Sequence, residues 1–188
     1  MYIPIEISAK HIHLCQRDLD KLFGRGYKLK KLRNLTLPKE YACKEVLDIK
    51  IEKKVLERVR VVGPVRENTQ AEISMTDAVK LGINPPINES GDLRNSVGAI
   101  LIGPKGKVKI KKGVIVAWRH IHCNSKEAEK LGIRNKQLIS VEVKGKRAIT
   151  FHNIIVRIKD NYKLSMHLDT DEGNAGGINK KTKGILLK

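Results

Sequence analysis

The sequence predicts a mainly β protein: two β-barrel domains capped by short α-helices, with an active site between them. Three observations carry this expectation. Apolar, β-branched runs of strand length recur along all 188 residues, most of them bounded by Gly, Pro, Asn or Lys-Gly turns. Helical segments are few and short. Parts of the sequence repeat, which suits two related barrels that each give one wall of a shared site.

The expected strands are, in order, residues 3–7, 46–51, 59–62, 99–102, 108–110, 114–117, 139–143, 148–151, 154–158 and 164–168. Gly103-Pro104-Lys105-Gly106 and Lys144-Gly145-Lys146 read as hairpin turns. Residues 17–23 read as a helix stopped by Gly24. Residues 77–81 read as a second, entered through Thr76 and stopped by Gly82. Residues 125–131 form a third, entered through Asn124 or Ser125 and stopped by Gly132. Phe151-His152-Asn153 reads as a turn, and residues 164–168 as a strand running into an acidic turn.

Two echoes make the repeat. Ala78-Val79-Lys80-Leu81-Gly82-Ile83 resembles Ala128-Glu129-Lys130-Leu131-Gly132-Ile133, and Lys10-His11-Ile12-His13 resembles Arg119-His120-Ile121-His122. In the second echo Cys15 aligns with Asn124, where a helix N-cap is expected and Cys is a poor one.

Composition narrows the partners. Lys and Arg number 38 against 20 Asp and Glu, a net charge of +18, and the isoelectric point is near 9.9. Such a chain favours anionic partners: nucleic acid, acidic lipid or small phosphorylated molecules. Aromatic content of 4% argues against base-stacking nucleic-acid sites. No apolar run approaches the roughly 18 residues of a membrane span, and residues 1–7 lack a signal-peptide pattern. Cys15, Cys43 and Cys123 make neither a disulfide framework nor a zinc ribbon, which fits a reducing cytoplasm.

The two His-x-His pairs carry the chemistry. In an extended chain, residues i and i+2 point the same way. His11 with His13, and His120 with His122, can therefore each converge on one metal ion. Six histidines in a chain of this length give about 0.2 such pairs by chance. A full shell needs more ligands, and His167, before the acidic turn, is preferred to His152. Glu72 offers a carboxylate and Arg66 a planar fork for phosphate, though composition alone places both on the surface. Cys15 shares strand register with His11 and His13 and is read as a weak N-cap rather than a thiolate ligand. Cys123 is expected to face away from the histidines.

These residues carry a resemblance. Ser8-Ala9-Lys10-His11-Ile12-His13-Leu14, Val59 to Pro64 with Arg66, Thr69-Gln70, Glu72-Ile73-Ser74 and Thr76-Asp77-Ala78 with Leu81-Gly82 keep family order. So do Pro85-Pro86, Ser90-Gly91-Asp92-Leu93, Gly103-Pro104-Lys105-Gly106, Arg119-His120-Ile121-His122 and Met166 to Glu172. Over nearly the whole chain the sequence resembles the PduL-type phosphotransacylases, the phosphate propanoyltransferases and their acetyl-using relatives. The resemblance implies reversible conversion of acyl-CoA plus phosphate to acyl phosphate plus CoA, assisted by two zinc ions. It implies that His11, His13 and Glu72 hold the ion facing the CoA sulfur. His120, His122 and His167 would hold the ion nearer the phosphate, and Arg66 would bind phosphate as the catalytic arginine. It also implies a discontinuous barrel of residues 1–9 and 118–188, a second barrel of residues 10–117, and a homodimer.

The chain departs from the family pattern at Cys15, at Asn88, where the family usually has Arg, and at Trp118, where a small residue is usual. Microcompartment members carry an N-terminal extension before the first strand. This chain starts almost on that strand, so a free cytoplasmic enzyme is expected. The competing readings are a dinuclear zinc hydrolase and a basic RNA-binding zinc protein.

Overall fold

The computed structural model describes residues 2–187. In chain order they form β1 (Tyr2–Ile7), β2 (His11–His13), α1 (Gln16–Phe23), β3 (Lys31–Asn34), β4 (Tyr41–Ile51), β5 (Lys54–Gly63) and β6 (Gln70–Glu72). Next come α2 (Met75–Leu81), β7 (Ile87–Asn88), β8 (Val97–Ile102), β9 (Lys107–Ala117), β10 (His120–Cys123) and α3 (Ser125–Leu131). The chain closes with β11 (Leu138–Val143), β12 (Ile149–Ile158), β13 (Ser165–Leu168), α4 (Thr170–Ala175) and β14 (Lys183–Leu187). The mainly β expectation holds. The chain divides into two compact units, Met1–Ala9 with Trp118–Lys188, and Lys10–Ala117.

In the first unit, β1-β13-β10-β12-β11-β14 close into a six-stranded barrel. Its interior is apolar: Ile3, Ile5, Ile121, Cys123, Val141, Val156, Met166 and Leu168 belong to one buried cluster. In the second unit, β4-β5-β2-β6-β9-β8 close a ring of the same kind, because β8 pairs with both β4 and β9. The strands β3 and β7 attach at β4 and β9. The interior of this barrel holds Ile12, Val59, Val61, Ala71, Leu101 and Val114.

The two barrels share one plan of pairings. The histidine strand runs parallel to one hairpin strand and antiparallel to a short strand: β2 with β5 and β6, β10 with β12 and β13. The short strand then pairs in parallel with a strand from elsewhere in the chain, β6 with β9 and β13 with β1. The strand β1 thus joins the barrel of residues 118–188, whereas β9 belongs to the same continuous unit as β6. In this plan Glu72 occupies the place of His167: each lies opposite the first histidine of its pair, His11↔Glu72 and His120↔His167.

The sequence expectations needed four corrections. The helix α2 is capped by Ser74, whose side chain accepts from the Asp77 N–H, so the helix starts before Thr76. The acidic turn after residue 168 is a helix, α4, entered through a capping box of Asp169 and Glu172. His152 lies inside β12, not in a turn, because Asn153 takes positive φ (54°) and the ladder to β11 continues past it through an irregular register. Residues 108–117 belong to one strand rather than two.

The echo of residues 78–83 in residues 128–133 has a local cause. The helix α2 follows β6, whereas α3 follows the histidine strand β10. What they share is a C-terminal cap: Gly82 and Gly132 both adopt left-handed φ (71° and 68°). Ile83 and Ile133 both donate back to the alanine carbonyl five residues earlier, at 3.1 Å.

The helix α3 begins at the capping box of Asn124 and Glu127, with bonds of 2.9 and 3.0 Å. Replacing Asn124 by Ala is expected to cost about 1 kcal/mol. Thermal denaturation should show a Tm lower by roughly 2–4 °C; an unchanged Tm would contradict the cap's contribution.

Candidate metal centres and anion site

Among the described residues each barrel carries one group of three side chains able to hold a cation. His11, His13 and Glu72 form one, and His120, His122 and His167 form the other. Within each, one donor atom per residue lies within 4.8 Å of the rest. Strand alternation builds both. Ile12 and Ile121 enter the barrel interiors, so the flanking histidines share the opposite face. Both groups lie across neighbouring strands, which places the third donor beside the first histidine.

The basic residue before each histidine pair has the same task in both units. Lys10 reaches Asp77 of α2 at 3.5 Å, and Arg119 reaches Glu172 of α4 at 2.9 Å. Each acid is the third residue after its helix N-cap. The basic residue thus ties down the helix that follows the third donor.

In the His/His/Glu group, His11 Nε2 lies 3.6 Å from one Glu72 oxygen and His13 Nε2 4.0 Å from the other. His13 Nδ1 is 3.0 Å from the Val62 carbonyl. A carbonyl can only accept, so Nδ1 carries the hydrogen and Nε2 keeps its lone pair. Burial first, then the nearby His11 and Arg66 charges, lower the His13 pKa to about 3. It is a neutral ligand-type imidazole at neutral pH. Burial alone would raise the Glu72 carboxyl. His11, His13, the Ser90 hydroxyl and Arg66 outweigh it and bring its pKa down to about 2.

The three-histidine group is tighter in its rings, with centroids 4.5 to 5.1 Å apart. His120 Nδ1 lies 2.8 Å from the Trp118 carbonyl, which again leaves Nε2 as the lone-pair atom. His122 is buried, and burial with the charges of its neighbours holds its pKa far below the usual imidazole range. Among the described residues its buried Nδ1 and the buried hydroxyl of Ser165 have no hydrogen-bond partner. The buried neutral His122 beside the His120 and His167 rings is a donor set that fits a divalent ion such as zinc.

These shifts predict a pH dependence for the metal-free protein. Between about pH 6.5 and 3 the unfolded chain takes up a proton that folded His13 refuses, so stability falls as pH drops. Glu72 adds to this lower down: its contribution is complete above about 4.5 and is lost toward 2. The urea midpoint of metal-free protein should fall steadily from pH 7 to pH 4. A flat profile would refute the burial of neutral His13.

Arg66 stands beside the first group. Its Nη2 donates to Glu40 at 2.8 Å and its Nη1 to Ser90 at 3.1 Å. Ser90 in turn donates to Glu72 at 2.7 Å. Gln70 also donates to Glu72, at 2.7 Å, and its own oxygen accepts from the Gly91 N–H. A guanidinium has five N–H groups, so Arg66 keeps donors beyond those two contacts, and its side chain is 30% exposed. Glu40, Gln70 and Ser90 have no role in the sequence reading. Glu40 lies 26 residues from Arg66, and only the β4–β5 pairing brings it near.

Cys15 is the N-cap of α1 and makes no side-chain capping bond; its N–H donates to the Thr69 hydroxyl. Cys123 is buried in the barrel core, away from the histidines. Trp118 donates through its indole to the Asn153 carbonyl at 2.7 Å. Asn88 bonds the carbonyls of Asp92 and Arg94 and so holds its own loop. His152 bonds Ser140 and belongs to neither group. Among the described residues no helix is long and apolar enough to cross a membrane.

Comparison with known proteins bears on the same residues. A sequence model of the phosphate propanoyltransferase family matches residues 4–179. A phosphate propanoyltransferase of Clostridioides difficile is 43% identical over 187 residues, covering 100% of this chain and 90% of that protein. One from Thermotoga maritima is 44% identical over 178 residues, covering 94% and 85%. One from Priestia megaterium is 44% identical over 184 residues, covering 98% and 85%. Matches of this extent span both barrels and both three-donor groups, and the chain belongs to the phosphate propanoyltransferase family of acyltransferases.

Proposed function

We propose that the protein interconverts a short-chain acyl-CoA, propanoyl-CoA or acetyl-CoA, and phosphate with acyl phosphate and CoA, using two zinc ions per chain. The observation that carries this reading is the pairing of two three-donor groups with Arg66 beside one of them, in a chain of this family.

His11, His13 and Glu72 hold one ion; His120, His122 and His167 hold the other. Bound zinc supplies Lewis acidity and an affinity for sulfur that suits a thiolate leaving group. Arg66 binds phosphate through the N–H groups that Glu40 and Ser90 leave, in a planar two-pronged contact. A phosphate oxygen attacks the thioester carbonyl carbon, the C–S bond breaks, and CoA departs as thiolate. No covalent acyl-enzyme is required. Both buried cysteines have thiols pushed up to about 11, chiefly by burial, which makes them poor nucleophiles at neutral pH.

The test is phosphate-dependent CoA release from acetyl-, propanoyl- and butanoyl-CoA, with zinc measured on the same sample. Acyl phosphate must appear as product. CoA release that is independent of phosphate would instead identify a hydrolase. A burst of CoA before phosphate is added would refute direct attack.

A further inference from the structure

We infer that Trp118 is a positioning residue for the three-histidine group: its indole holds the approach to β10 against β12, so that its own carbonyl fixes the tautomer of His120. The zinc part of this inference rests on the two-zinc reading above. His120 Nδ1 lies 2.8 Å from the Trp118 carbonyl. A carbonyl only accepts, so Nδ1 carries the hydrogen and Nε2 is left as the ligand atom. The same device serves His13, whose Nδ1 meets the Val62 carbonyl at 3.0 Å. Val62 lies within β5, and the ladder to Ala42 of β4 sets its place. Trp118 lies outside the strands, in the link between β9, which ends at Ala117, and β10, which starts at His120.

A side chain here does what the ladder does for Val62. The Trp118 indole N–H donates to the Asn153 carbonyl of β12 at 2.7 Å. The next bond along, from the Ile155 N–H to the Arg119 carbonyl at 3.1 Å, leads into the β10–β12 pairing at His120↔Ile155. Asn153 takes left-handed φ (54°), where the β11–β12 ladder shifts register between Ile139 and Val141. The indole bond thus ties the irregular point of β12 to the residue whose carbonyl holds His120. Without the indole N–H, residue 118 is free to turn. An imidazole that loses its carbonyl partner divides between two tautomers, and only one of them offers Nε2. Trp118 is the one tryptophan of the chain, so tryptophan emission reports on this link alone.

The variants are Trp118→Phe, which keeps an aromatic ring and removes the N–H, and Trp118→Ala. Long-range proton–nitrogen NMR spectra of metal-free protein at mildly alkaline pH give the His120 tautomer. Nδ1–H is expected in the wild type, and a mixture of both tautomers in the variants. Zinc titration against a chelator gives the affinity of each group. Orienting a metal ligand through its hydrogen-bond partner is worth about 10- to 100-fold in affinity. Trp118→Phe acts one bond further out, so one zinc equivalent should bind about 10-fold more weakly while the other is unchanged. Wild-type tryptophan emission should change as that same equivalent binds, and His120→Ala should abolish the change. An Nδ1–H tautomer retained in both variants would overturn the inference, as would wild-type zinc affinity in both. Equal weakening of both equivalents, together with a lower Tm of the metal-free protein, would also overturn it by leaving Trp118 a merely structural role. Failure of the wild type to bind two zinc equivalents would instead refute the two-zinc reading. The tautomer of the metal-free protein would then still decide the role of Trp118.

Discussion

Replacing His120 by Ala is expected to remove one of two zinc equivalents and to lower turnover at least about 100-fold. Loss of residues that merely orient a metal ligand already costs about 10- to 100-fold, and His120 is itself a donor in the three-histidine group. Its ring stacks on His167 at 5.1 Å and meets His122 edge-on at 4.5 Å. The substitution leaves two donors, too few for a closed tetrahedral shell. The ring projects away from the barrel core that Ile121 enters, so the fold should survive. Zinc per chain, circular dichroism and turnover are read on one preparation. Full activity with unchanged zinc would remove His120 from the site.

Replacing Arg66 by Ala is expected to lower kcat/KM for phosphate roughly 100-fold, the scale of a lost two-pronged charged contact. The KM for acyl-CoA should change far less. Arg66→Lys should fall between, since it keeps the charge and loses the fork. Arg66 also lowers the pKa of both His13 and Glu72, so zinc content must be measured beside the kinetics. An unchanged phosphate dependence would show that the Arg66 guanidinium serves only Glu40 and Ser90.

The part of the site that was legible in the sequence was the part built by local geometry. Two histidines at i and i+2 share a face in any strand, so both pairs could be read without knowing the fold. The flanking Lys10 and Arg119 were visible as a motif, but their task was not. It depends on helices α2 and α4, which lie 67 and 53 positions further along. The third donors were harder. Glu72 and His167 hold equivalent places in the two barrels but differ in residue type, so the repeat could not align them. Residues 148–158 show the opposite error. A local reading placed a turn at Asn153, while pairing with β10 and β11 on both sides keeps that residue in a strand.

The sequence by itself determined the class of fold, the two histidine pairs, the direction of the net charge and, through its motifs, the family. Those depend on periodicity, residue type and spacing, which survive without a third dimension. Tertiary structure alone decided which strand completes which barrel, that Glu72 and His167 stand in register with His11 and His120, and that Glu40 and Ser90 hold Arg66. Strand register sets these contacts between residues far apart in the chain. A register is fixed only when each barrel closes over its own apolar interior, because a one-residue slip would turn every histidine inward and every isoleucine out.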